Sequence, residues 1–262
     1  MPALPMNSSL MAAETSEDAA LGGRLRLRQP LRGHRFGHDA ILLAASTGGR
    51  AGELAVDLGA GVGAAGLALA VRVEGLKVAL VEIDRELCAL AADNARLNGL
   101  ESRVSALALD AENVQALASA LPQGSASRVL MNPPFNDAAR QNVSPDPRRR
   151  LAHAGEAGLL PRWVASAAWL LKSQGVLTLI WRADGLPEVL GALASGFGSV
   201  GVLPVLPRAG SQPIRVLVRA VKDGGAKPAD YPPLILNDGD GKPTAAAEAV
   251  LRGGETLRIA EL

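Results

Sequence analysis

The sequence predicts a doubly wound α/β domain on a mostly parallel sheet of seven strands, and three observations carry that expectation. Short apolar runs alternate with stretches of helical length from residue 54 to residue 193. A glycine-rich turn joins the first run to the first helix. The run Val176–Trp181 is almost wholly apolar, as expected of a strand covered on both faces.

In chain order, Leu54–Leu58 reads as a buried strand and Ala64–Val73 as a helix. Lys77–Ile83 is the second strand. Arg85–Asn98 is a helix with Asp84 as its N-cap and Gly99 beyond its end. Val104–Leu109 is the third strand, Glu112–Ala120 a short helix, Arg128–Met131 the fourth strand and Leu160–Lys172 a helix. After Val176–Trp181 come a helix over Leu186–Leu193 and two closing strands, Val200–Val205 and Ile214–Val221, which the intervening loop allows to be antiparallel. Residues 1–22 carry two prolines and, near their end, Glu14, Glu17 and Asp18, and are expected to form a disordered extension, leaving 23–221 as the domain. Residues 222–262, rich in Gly, Pro and Asp with a possible helix at Thr244–Arg252, are expected to form a tail outside the sheet.

Composition narrows the function classes. The 262 residues suit one enlarged domain, and 27 basic against 26 acidic residues leave a net charge of +1, so a polycationic nucleic-acid coat is excluded. Any nucleic-acid contact must be a local patch. Arg24, Arg26 and Arg28 alternate as on one face of a strand, and Arg148, Arg149 and Arg150 lie in a long loop after the fourth strand; both groups are candidate RNA contacts, and both also fit solvated surfaces. The single cysteine, Cys88, forms no internal disulfide, which suggests a reducing, cytoplasmic setting. No apolar run reaches the roughly 18 residues of a membrane span. His34, His38 and His153 lack metal-binding spacing, so no metal is expected.

Two segments carry chemistry. The first strand ends in Asp57-Leu58-Gly59-Ala60-Gly61-Val62-Gly63, where glycines permit a sharp turn and close approach of a ligand to a helix N-terminus. Continued to Gly66, the segment also fits a dinucleotide fingerprint, so the glycines alone leave NAD and S-adenosylmethionine open. Asp57 favours the latter, because a carboxylate gains from the cofactor's ammonium and not from pyrophosphate. Glu82 and Asp110, at the ends of the second and third strands, are placed for the ribose hydroxyls and the adenine amine. The second segment, Asn132-Pro133-Pro134-Phe135, follows the fourth strand. Two prolines stiffen it, so that the Asn132 side-chain oxygen and the Pro133 carbonyl can accept both hydrogens of one planar amine while Phe135 stacks on it.

These residues resemble the class I S-adenosylmethionine-dependent methyltransferases, in which the Asn132–Phe135 signature is shared by enzymes acting on adenine N6, guanine N2 or glutamine amide nitrogen. With Gln29-Pro30, Arg35–Ala40, Pro204–Arg208 and Arg215–Val218, the chain is similar to the bacterial tRNA adenine-N6 methyltransferase family over about residues 24–221. The resemblance implies methyl transfer to adenine N6 of a tRNA, and cofactor contacts at Phe36 and Asp39. Ser127 departs from that family, where an Asp is expected. The rivals are a guanine-N2 rRNA or protein-glutamine methyltransferase, a nicotinamide-dependent oxidoreductase, and a non-catalytic RNA-binding module.

Overall fold

The computed structural model describes residues 15–31, 35–134 and 158–261. A parallel array of β3 (Leu54–Leu58), β4 (Lys77–Glu82), β5 (Val104–Ala108), β6 (Ala126–Met131) and β7 (Leu171–Arg182) forms its centre, and β8 (Phe197–Arg208) and β9 (Arg215–Lys222) close it. The order is β5-β4-β3-β6-β7-β9-β8, with β9 antiparallel to both neighbours. An antiparallel strand inserted next to last departs from the all-parallel order of dinucleotide-binding domains, which counts against the nicotinamide reading.

Helices cover both faces. On one lie α1 (His38–Ala45), α2 (Ala64–Arg72) and α3 (Arg85–Leu97), around a core that includes Leu43, Leu67, Leu80 and Leu130. On the other lie α4 (Val114–Ala118), α5 (Leu159–Leu170) and α6 (Leu186–Leu193), with Val129, Leu177, Val164 and Trp163. No helix among the described residues is long and apolar enough to cross a membrane.

Two departures from expectation flank this domain. Residues 15–20, expected within a disordered extension, form β1 (Thr15–Ala20), which pairs antiparallel with β2 (Leu25–Pro30). Leu25 and Leu27 are buried and Arg26 and Arg28 exposed, the period-2 pattern of a half-buried strand. The backbone of β2 is held by two side chains one turn apart on α3. The Arg28 N–H donates to Asn94 Oδ1 (2.7 Å) and Asn94 Nδ2 donates to the Arg28 carbonyl (2.9 Å); Asn98 repeats the exchange with Arg26 at 2.9 and 2.7 Å. The amides of α3 thus stand in for a neighbouring strand.

The segment after Lys222, expected outside the sheet, returns to it. β10 (Ala229–Asp230) and β11 (Leu234–Asn237) pair parallel with β8. Thr244 caps α7 (Ala245–Glu248) by accepting from the Ala247 N–H at 3.1 Å. Leu257 and Ile259 are buried in the first core.

Candidate active site

Leu58 and Met131 are register partners on β3 and β6, so Gly59 and Asn132 leave the sheet side by side. This is the point where strand order reverses, the usual place for a ligand in an open α/β sheet. The glycine loop is fastened to β4 by the Gly59 and Ala60 N–H groups, both donating to the Val81 carbonyl at 2.9 Å.

The glycines have different reasons. Gly59 and Gly61 both have positive φ, 70° and 55°. A β-carbon on Gly59 would stand 2.8 Å from Trp163 Cζ3 and nearer still to Cη2, whereas one on Gly61 would meet nothing within 4 Å. Gly63 packs against Leu80 and Leu67. Gly61 is therefore the member of the loop open to a ligand, and the others let the loop lie close to its own core.

The acids are also differentiated. Asp57 is 2% exposed, and its Oδ2 accepts the Gly66 N–H of α2 at 2.8 Å. Burial pushes its pKa up to about 7; the Gly66 N–H works against that shift and the nearby Glu82 charge adds to it. Its visible work is to anchor the first turn of α2. Glu82 closes the loop from the other side, with Oε2 accepting from the Gly61 N–H (2.7 Å) and Oε1 from the Asp84 N–H (2.9 Å). Each oxygen keeps a further lone pair. Asp84 is the N-cap expected of it, accepting from the Glu86 and Leu87 N–H groups. Asp110 lies two residues past β5, and its Oδ1 accepts from the Glu112 N–H at 2.9 Å.

At the end of β6, Pro133 is buried, Pro134 exposed and Asn132 half-buried. Asn132 Oδ1 is buried with no hydrogen-bond partner among the described residues. Buried polar atoms are nearly always paired, so this acceptor is marked for a partner that the described residues do not supply. Phe135, Arg148, Arg149 and Arg150 lie outside the described residues.

The remaining sequence-predicted residues have partners of their own. Phe36 packs on the first core, its N–H donating to the buried Gln29 Oε1 at 3.0 Å. It faces a cavity of about 560 Å³ whose lining includes Leu21 and Leu251 and none of the glycine-loop residues. Asp39, in the first turn of α1, accepts from Arg215 Nε at 2.9 Å. Arg24 precedes β2 and donates to the Gly253 carbonyl at 2.8 Å, while Arg26 and Arg28 both reach Glu17. That acid, whose pKa the Arg26 hydrogen bond holds low, offsets part of the expected arginine stripe. Ser127 is buried in β6.

Two contributors were not read from the sequence. Ile83, between Glu82 and Asp84, is 66% exposed at the ligand edge, an apolar surface among acids. Trp163 on α5 walls the back of the glycine loop. An apolar residue between two acids at a strand end was a signal for Ile83; nothing local pairs residue 163 with residue 59.

Sheet order and family together identify a class I methyltransferase that uses S-adenosylmethionine. The chain belongs to the methyltransferase small domain family, whose model matches residues 39–204. It is 29% identical over 154 residues to the release factor glutamine methyltransferase of Chlorobaculum tepidum, covering 56% of this chain and 52% of that protein; the chain thus spans about half the length of this curated relative. A solved structure from Agrobacterium tumefaciens described as a predicted O-methyltransferase is 29% identical, with a TM-score of 0.71 over 84% of this chain and 98% of its own. A 16S rRNA N2 methyltransferase of Thermus thermophilus, solved with AdoMet and guanosine, shares the fold at 18% identity, with a TM-score of 0.55 over 80% of this chain and 50% of its own.

Proposed function

We propose that the protein transfers a methyl group to a planar amino nitrogen, with adenine N6 of a tRNA as its acceptor. The unpartnered Asn132 Oδ1 beside the glycine loop carries this reading. When bound, S-adenosylmethionine supplies an electrophilic methyl group on sulfonium. Gly61 leaves room for the cofactor, and Glu82 offers its free lone pairs to the ribose hydroxyls. Asp57 fixes the helix start beneath and gives up its proton to stand as a carboxylate near the cofactor's ammonium when that cation binds. Asp110 accepts from the adenine amine, and Ile83 gives that ring an apolar surface. Phe36 and Asp39 act from the side of α1 by holding its first turn in place, Phe36 by packing on the core and Asp39 through Arg215.

On the acceptor side, Asn132 Oδ1 and the Pro133 carbonyl take one hydrogen each from the amino group. The nitrogen lone pair then turns out of conjugation toward the methyl carbon, so that positioning supplies most of the catalysis. Phe135 stacks on the acceptor, and for a base in folded RNA this requires extrusion from its stack. Arg24, Arg26 and Arg28 form one local group of contacts for the phosphate backbone, and Arg148–Arg150 a second.

Methylation of a glutamine amide is the second reading. It is favoured by the relative from Chlorobaculum tepidum, since an amide presents the same two hydrogens. Incubation with methyl-labelled S-adenosylmethionine and either unmodified tRNA or bacterial release factor, followed by mass spectrometry, separates the two. Labelled N6-methyladenosine supports the tRNA reading. Label confined to N2-methylguanosine or to glutamine overturns it, and no transfer to either substrate overturns both.

A further inference from the structure

Arg219, in the middle of β9, is 5% exposed. Its Nη2 is buried without a hydrogen-bond partner, and among the described residues no carboxylate forms an ion pair with it. Burial lowers its pKa; the Tyr231 hydroxyl works the other way, and a second cation, Arg128 on β6, itself matched to Glu53 at 3.4 Å, adds to the lowering. A buried guanidinium beside a second one, with no counter-charge, is an arrangement proteins avoid unless something else supplies the charge.

The surroundings point the same way. Thr178 is the register partner of Arg219 on β7, so the two side chains share one face of the sheet. Its hydroxyl is fully buried and also has no partner. On the other side Arg219 pairs with Gly201 of β8. The missing side chain there lets the Tyr231 ring lie over the strand, 2.9 Å from where a β-carbon would be. Tyr231 also walls a cavity of about 330 Å³ with Leu203, Pro233, Leu257 and Arg258, in which Arg258 is the one charged lining residue. Two orphaned donors, one of them cationic, thus lie on the sheet face that Tyr231 of the C-terminal segment covers, and the cavity that Tyr231 also walls has a cation and no acid in its lining.

We propose that this is a binding site for a small oxyanion, held between the Arg219 guanidinium and the Thr178 hydroxyl and closed over by Tyr231. A guanidinium offers parallel N–H donors to two oxygens of one phosphate, sulfate or carboxylate group, and a threonine hydroxyl donates a further bond. Arg219 is too deeply covered for an RNA backbone to reach, so the ligand is a free ion or small molecule. The site gives the C-terminal segment a task separate from methyl transfer, since Tyr231, Leu257 and Arg258 all come from it.

The test is thermal unfolding of the full chain in inorganic phosphate, with ionic strength held constant by potassium chloride. Phosphate also stabilises proteins non-specifically, in proportion to its concentration, so the diagnostic is a saturable rise in Tm. At one hundred times the dissociation constant the rise should be about 5 °C or more. Acetate in a parallel series distinguishes a carboxylate site from a phosphate site. Arg219→Gln should abolish the saturable part. Thr178→Val, which preserves shape and keeps the fold should Arg219→Gln unfold, should raise the half-saturating concentration several-fold, with the dissociation constant for S-adenosylmethionine unchanged in either variant. A purely linear salt response in the wild-type protein, or the same saturable curve in Thr178→Val and Arg219→Gln, overturns the proposal.

Discussion

Trp163 on α5 presses its six-membered ring against Gly59 in the cofactor loop, so closely that a β-carbon on Gly59 would overlap the ring. The loop and a helix more than a hundred residues away are fitted to one another. Gly59→Ala therefore meets two costs, a left-handed backbone and a displaced indole, together about 2–4 kcal/mol. Urea unfolding would register that loss. Gly59→Ala/Trp163→Leu should be less destabilised than the two single losses combined, because the clash is gone; simple additivity would show that the ring does not set the loop.

Asn132→Ala separates a structural from a functional asparagine. A buried carbonyl oxygen without a partner contributes nothing to stability, so its removal should leave the unfolding free energy unchanged or raise it by about 1 kcal/mol. Turnover should fall by roughly 10²-fold or more with little change in cofactor affinity, as for loss of a group needed mainly in the transition state. A destabilised but active variant would show the opposite, that Asn132 serves the fold.

Asp57 predicts a pH signature. Its pKa in the folded protein, about 7, stands above its ordinary value of 3.8, so the folded state holds a proton that the unfolded chain has released. That contribution is fully present below about pH 4 and is lost as pH rises through 7, at most on the order of 4 kcal/mol. Asp57→Asn keeps an acceptor for the Gly66 N–H and cannot titrate. The difference in stability between wild type and this variant, measured at pH 5 and pH 8, should shift against the wild type at the higher pH. Parallel profiles would place the carboxylate in a solvated setting.

Asn94 makes three side-chain bonds, two with the Arg28 backbone and one donated to the Val62 carbonyl at 2.9 Å. Asn94→Leu leaves all three backbone groups unanswered in a fully buried place and should cost about 3 kcal/mol or more. Hydrogen exchange should show the Arg28 amide losing its protection first. Unchanged protection there would mean that β2 is held by β1 alone.

Much of this was legible in the chain. The seven strands β3–β9 were all placed, β3 to the residue and the others with shifted ends, because each holds an apolar run. The glycine loop and the Asn-Pro-Pro turn were legible for the same local reason. What escaped depends on distant partners. β1 reads as disordered because its sequence is acidic and small, and it is ordered by pairing with β2, which the amides of Asn94 and Asn98 hold in turn. α1 shows a continuous apolar run without a capping side chain, and it is α2 and β7 that make it a helix. The direction of Asp57, toward the first turn of α2 at Gly66, is likewise set by packing and not by spacing.

The pairing of β10 and β11 with β8 has a consequence for solution behaviour. A strand of twelve residues at the margin of a sheet offers a long row of bare N–H and C=O groups to any second strand that meets it. Here short parallel segments occupy parts of that margin, and Pro204 and Pro207 remove two more donors. The sheet is thereby sealed against growth from molecule to molecule. Truncation after residue 222 would bare that margin, and the shortened protein should precipitate at concentrations where the whole chain stays dispersed, even if its central strands still fold.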